Sequence, residues 1–241
     1  MSNLLEFTQV CKSFGERPVL SNVSLTVARG EAVGLVGVNG AGKTTLIRGL
    51  LDLNRIDDGT ILINGLPQTH TAARQALTYL AERFSAPTFA TGYELIRHLL
   101  ALHGTAATVG RVEEEARALG LDPAMLARPT REYSKGMMQK LGLIACILPD
   151  CPLLILDEPM SGLDPLARAL FKRRLSGLKD AGVTLFFSTH LLIDVDSLCD
   201  RIVVLNGGQV VWDGAPQQLI AERAATSLEQ AFLNLVDPAH A

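Results

Sequence analysis

Ala32-Val33-Gly34-Leu35-Val36 followed by Gly37-Val38-Asn39-Gly40-Ala41-Gly42-Lys43-Thr44-Thr45 decides how this chain folds. The first five residues read as a short, fully buried strand, and the next nine fit the glycine-loop pattern that ends in Gly-Lys-Thr. Glycines let the backbone curl its N–H groups around the β- and γ-phosphates of a nucleotide, and the helix that follows turns its positive end toward the same anion. Lys43 adds a full charge, and the Thr44 hydroxyl suits Mg²⁺. Strand, loop and helix in this order predict a nucleoside triphosphate site. Its binding residues are Gly37, Asn39, Gly40, Ala41, Gly42, Lys43, Thr44 and Thr45, in an α/β fold.

Outward from the loop, the pattern alternates between strands and helices. Val23, Leu25 and Val27 alternate with polar neighbours as in a half-buried strand. Asn64-Gly65 and Asn206-Gly207 each separate two apolar runs, where positive φ at both turn positions suits a tight hairpin, so a mixed sheet with antiparallel strands at its margins is expected. From Arg83 to Pro149 apolar residues recur at helical spacing, which predicts an inserted α-helical subdomain. Leu153–Leu156, a helix from Pro165, Thr184–Ser188, a helix near Leu192 and Arg201–Leu205 then restore the order of a parallel α/β core. In the helix from Pro165, Ala167, Leu170, Phe171, Leu175 and Leu178 share one face while Arg168, Lys172 and Lys179 take another. The expected organisation is one domain, with the core at about 1–82 and 150–222, the helical lobe at about 83–149 and a C-terminal helix at about 226–236.

Composition narrows the function classes. The 241 residues, 48% hydrophobic and 20% charged, fit one compact domain and exclude disordered, collagen-like and coiled-coil chains. A formal charge of -3 gives no basic field to hold a phosphate backbone, so no nucleic acid is expected as partner. No window approaches the roughly 18 uninterrupted apolar residues of a membrane span, and Met1-Ser2-Asn3-Leu4-Leu5-Glu6 lacks the flanks of a signal peptide, so a cytoplasmic location is expected. The 4 cysteines form no C-x-x-C pair and read as free thiols.

The loop alone leaves the activity open. Asp157 follows the apolar strand Leu153–Leu156, at a carboxyl end where an acid holds Mg²⁺ beside the loop, and Glu158 next to it reaches an attacking water. Between loop and acid pair stands Tyr133-Ser134-Lys135-Gly136-Met137-Met138-Gln139-Lys140, whose Ser134 is a good N-cap for a helix running to about Leu148.

With these motifs in order, the chain resembles the nucleotide-binding subunits of ATP-binding cassette (ABC) transporters over nearly its whole length, which implies an α/β fold with a P-loop NTPase (RecA-like) core. The resemblance implies that Ser134 and Gly136 belong to a signature motif contacting ATP bound by a second subunit, in a head-to-tail dimer. It also implies that Ser161-Gly162-Leu163-Asp164 crosses the dimer interface, that His190 senses the γ-phosphate, and that Phe14 lies against adenine. The catalytic set is then Glu158, His190 and Lys43. The metal set is Thr44, Asp157 and Glu82, the last standing where the family often has a glutamine. Lys135 and Met137 depart likewise from the commonest signature, which has glycine and glutamine there.

Together with the closing Ser227–Leu233 segment, these departures resemble the subset serving exporters with a separate membrane subunit. The expected function is therefore ATP hydrolysis coupled to transport, with ATP and Mg²⁺ as cofactors. The partners are a second nucleotide-binding subunit and an integral membrane subunit docking near Glu82 to Tyr93, which places this chain on the inner face of the cell membrane. Phe84, Pro87 and Phe89 in that stretch read equally well as lobe core. A soluble ATPase of the same type acting on ribosomes or DNA is the alternative.

Overall fold

The computed structural model describes residues 2–237. In chain order the strands and helices are β1 (Asn3–Phe14), β2 (Arg17–Ala28), β3 (Ala32–Val36), α1 (Lys43–Leu50), β4 (Asp58–Ile63), β5 (Leu66–Pro67), α2 (Thr71–Arg74) and β6 (Leu77–Leu80). They continue as α3 (Gly92–Leu102), α4 (Val109–Ala118), α5 (Lys135–Ile147), β7 (Leu153–Asp157), α6 (Pro165–Asp180) and β8 (Thr184–Thr189). The last are α7 (Leu192–Val195), β9 (Arg201–Asn206), β10 (Gln209–Gly214), α8 (Pro216–Glu222) and α9 (Leu228–Val236).

Two sheets form. One has six strands in the order β10-β9-β3-β8-β7-β6, parallel except for β10 at its margin; the other has four antiparallel strands in the order β2-β1-β4-β5. The antiparallel strands are thus divided, with the Asn64-Gly65 hairpin in the second sheet. Asn64 and Gly65 have φ of 51° and 76°, as expected. The second hairpin turns one residue later than expected: Asn206 still pairs with Gln209, and Gly207 and Gly208 take the left-handed positions. Two glycines tolerate positive φ better than asparagine followed by glycine.

The central strands are apolar throughout because both their faces are covered. Val33, Leu35, Leu153, Ile155 and Phe186 face the antiparallel sheet and α1, while Leu154, Leu156, Leu185 and Phe187 face the helices on the other side. On that side α3, α4 and α5 lie between β6 and β7 in sequence, each started by a hydroxyl: Thr91 with Glu94 in a reciprocal capping pair, Thr108, and Ser134. The apolar stripe of α6 is buried at Ala167, Phe171, Leu175 and Leu178, with Leu170 only half-buried. Its basic side is also engaged: Lys172 and Arg168 lie 3.1 Å and 3.7 Å from buried Asp194 on α7. The four cysteines are free, and burial pushes the Cys146 thiol up to about 12, which keeps it protonated and unreactive.

Phe186 is fully buried and its ring centroid lies 6.0 Å from that of Phe7, so this pair joins the two sheets. Truncating Phe186 to alanine should cost about 3–5 kcal/mol in urea unfolding. A loss below about 1 kcal/mol would show that the sheets are joined elsewhere.

Candidate functional site

Register brings the site together. In the parallel pairing, Val36 of β3 stands opposite Thr189 of β8, and Ser188 of β8 opposite Asp157 of β7, so three strands end level at their carboxyl edge. The glycine loop after β3, Glu158 after β7 and His190 after β8 all converge at this edge. Crevices outside the carboxyl ends of parallel strands are where such folds hold ligands. A cavity of about 440 Å³ opens there, lined by Asn39, Gly40, Ala41, Gly42, Lys43, Thr44 and Thr45 together with Phe14, Glu82, Glu158 and His190. Arg17 and Val19 of β2 complete it, and no sequence motif marked them.

The loop keeps its shape by close packing. Gly42 has φ of 109°, and a Cβ there would lie 2.8 Å from the Leu20 side chain and 2.9 Å from the Val19 carbonyl. At Gly37 a Cβ would strike the Leu205 carbonyl. These two glycines are therefore dictated by contact with β2 and β9, while Gly40, at φ 84° with nothing within 4 Å, is dictated by its backbone conformation. No side chain caps the N-terminus of α1, whose first residue is Lys43. Lys43 is buried; its ammonium donates to the Gly37 carbonyl at 2.7 Å and lies 3.7 Å from Glu158 Oε1.

The acid pair is held by a residue the sequence motifs do not mark. Ser188 Oγ donates to Asp157 Oδ1 at 2.5 Å and accepts from the Glu158 backbone N–H at 2.9 Å. It thereby supports Glu158 at φ 46°, a left-handed conformation that a side chain rarely adopts. Only its place opposite Asp157 in the register identifies Ser188. Glu158 Oε2 lies 2.8 Å from His190 Nδ1. Asp157, 2% exposed, reaches the Thr44 hydroxyl at 3.4 Å from behind the loop. Burial raises the Asp157 pKa, against the lowering effect of hydrogen bonds from Ser188 and Thr44.

The other expected residues lie at the rim of the cavity or outside it. Phe14 is 53% exposed at the end of β1, with the Lys12 ammonium 5.3 Å from its ring centroid; a core role is excluded. Glu82 lies two residues beyond β6, exposed at the cavity edge. Ser134 and Gly136 are not among the residues lining this cavity. Ser134 Oγ accepts from the Met137 N–H, capping α5, and a Cβ at Gly136 would meet the Leu163 side chain at 3.6 Å and Ser134 Oγ at 4.0 Å, both ordinary contacts. Within this chain, then, packing does not demand a glycine at 136. Of the aromatics expected at the docking stretch, Phe84 is half-buried against the helical core and Phe89 is 79% exposed.

Because the Asp157 carboxyl is raised, the native state holds its proton more tightly than the unfolded chain. The carboxylate therefore costs stability as pH rises above the ordinary aspartate range of about 4. Asp157→Asn should be more stable than the parent at pH 7 in EDTA, with the gap closing toward pH 4 in urea unfolding. A variant less stable than the parent across that range would contradict the assignment of burial as the dominant cause.

Known proteins resemble this chain in sequence and in fold. Residues 20–161 match the family model described as ABC transporter. An ABC transporter ATP-binding protein of Nostoc sp. is 39% identical over 207 residues, covering 85% of this chain and 62% of that protein. The chain thus spans about six tenths of the length of that relative. A Nod factor export ATP-binding protein I of Sinorhizobium fredii is 37% identical over 232 residues, covering 95% of this chain and 67% of that protein. Among solved structures, an ATP-binding subunit of an ABC transporter superposes with a TM-score of 0.89 at 31% identity, covering 96% of this chain and 99% of that one. A dimeric bacterial ABC transporter cassette superposes with a TM-score of 0.80 over 88% of this chain, and at 21% identity it speaks for the fold alone. Among the described residues no helix is long and apolar enough to cross a membrane. The chain belongs to the ABC transporter family.

Proposed function

We propose that this chain binds and hydrolyses ATP as the nucleotide-binding subunit of an ABC transporter, and that closure of a dimer around ATP drives a separate membrane subunit. The observation that carries the reading is the convergence of Lys43, Thr44, Glu158 and His190 on one cavity, with buried Asp157 behind it. The left-handed glycines and the uncapped start of α1 suit phosphate, and Lys43 places its charge at the same spot. Phe14, exposed beside the loop, offers a ring face for the base.

Mg²⁺ fits the same residues. A buried carboxylate whose proton affinity is raised by burial is costly without a cation, and the Thr44 hydroxyl beside it completes a hard oxygen donor pair. Glu82 at the cavity edge adds a third oxygen donor. When bound, the ion neutralises charge on the phosphates. The protein's own part is that Lys43 and the loop amides balance phosphate charge, Glu158 orients or deprotonates water, and His190 fixes the Glu158 carboxylate.

Ser134 and Gly136 lie outside the cavity, and packing within the chain leaves Gly136 unexplained. A second copy arranged head-to-tail would present both to the γ-phosphate and so complete two equivalent sites. The lobe at 83–149 carries exposed Phe89 beside Pro87, Glu94, Arg97 and His98, around a hollow of about 730 Å³. This is the face for the membrane subunit, which holds the chain at the cytoplasmic side of the membrane. The Nod factor export relative supports an exporter.

Replacing Glu158 by glutamine should leave ATP binding intact, lower turnover by at least about 100-fold and accumulate an ATP-bound dimer in size-exclusion chromatography. Undiminished hydrolysis by that variant would sink the mechanism.

A further inference from the structure

Arg17 lines the nucleotide cavity, yet no partner within the chain explains it. It stands directly opposite Phe14 in the β1–β2 pairing, across the tight turn Gly15-Glu16, in which Gly15 has φ of 60°. Directly opposed residues of antiparallel strands point to one face, with their Cβ atoms about 5 Å apart. The Arg17 side chain therefore rises from the same face as the Phe14 ring. The cation over that ring is Lys12, 5.3 Å from the centroid, and Lys12 is tied to Asp57 at 2.7 Å. Within the cavity, Lys43 donates to the Gly37 carbonyl and lies 3.7 Å from Glu158. Arg17 is exposed, and among the described residues no hydrogen bond or ion pair involves it. Of the lysine and the arginine that line this cavity, Arg17 is thus the unpaired one.

Its place along β2 indicates which part of a nucleotide it meets. The strand runs from Arg17, level with Phe14, to Val19, whose carbonyl would be 2.9 Å from a Cβ at Gly42 in the glycine loop. Two residues of strand span about 7 Å. With the base against Phe14 and the β- and γ-phosphates in the loop, the α-phosphate comes between them, beside Arg17. We propose that Arg17 is a nucleotide-binding residue whose guanidinium pairs with the α-phosphate. A planar fork of donors suits two phosphate oxygens and needs no metal to reach them. Hydrolysis leaves the α-phosphate untouched, so Arg17 holds substrate and product alike. This inference rests on the ATP-site reading.

The test is calorimetric binding of MgADP, and of ADP in EDTA, to the full chain; ADP avoids turnover. Arg17→Gln, at an exposed hairpin position, should leave the urea unfolding midpoint unchanged and weaken both ligands about ten-fold, the scale of one charge-assisted pair at a solvent-accessible site. Arg17→Lys should lose only about three-fold, because the charge stays and the fork goes. GDP should lose by the same factor as ADP, and affinity should fall less steeply with salt in Arg17→Gln than in the parent. An unchanged affinity overturns the inference. So does a loss confined to one base, which marks a contact with the base edge, or a loss with unchanged salt dependence, which marks a displaced Phe14 ring. Each of these leaves the ATP site standing. A parent chain that binds neither ADP nor ATP overturns both.

Discussion

Parallel pairing of β3, β8 and β7 in one fixed register is the constraint on which the rest depends. These strands are packed on both faces, so a slip would exchange side chains of different size between two filled cores and carry Ser188 away from Asp157. The register sets Ser188 opposite Asp157, and Ser188 then holds the Asp157 carboxylate with its hydroxyl hydrogen and the Glu158 amide with its oxygen. One hydroxyl thus secures a buried acid and a strained backbone at once. Lys43 and His190 reach Glu158 only because their own strands end at the same level.

The antiparallel sheet does more than cover a face. Val19 and Leu20 of β2 press on Gly42, and the Val19 carbonyl also closes on Gly208 at the β9–β10 turn. The glycine loop is thereby clamped between the second sheet and the end of β9, and Phe14, at the end of β1, is carried to the rim of the cavity. Phe186 against Phe7 fixes the distance between the two sheets. Binding geometry is in this way a consequence of core packing, since the loop has few bonds of its own to hold its curl.

Much of this was legible in the sequence because the informative residues are local. The glycine loop, the apolar strand ending in Asp157-Glu158 and the Ser134 cap each occupy a few consecutive positions, and their chemistry follows from spacing alone. Periodicity likewise gave the buried stripe of α6 and the helices between β6 and β7. What the sequence hid is whatever depends on long-range register. Ser188 is an ordinary strand serine until it is seen opposite Asp157. Arg17 and Val19 lie in a strand with no motif, and the division of antiparallel strands into two sheets follows from tertiary packing rather than hairpin signals. The turn at Gly207-Gly208 shows local chemistry misread by one position, because two successive glycines take left-handed φ more readily than the asparagine before them.

If each cavity is half a site, completed by Ser134 and Gly136 of another copy, two inactive variants should complement one another. Mixing two inactive variants tests it directly: Lys43→Ala, which disables the loop, and Ser134→Arg, which blocks the signature. A mixed dimer retains one site with an intact loop from one chain and an intact signature from the other. An equal mixture should recover about one quarter of the parent ATPase rate, since about half the dimers are mixed and each has one working site of two. A mixture that stays inactive, although both variants fold and dimerise, would contradict it.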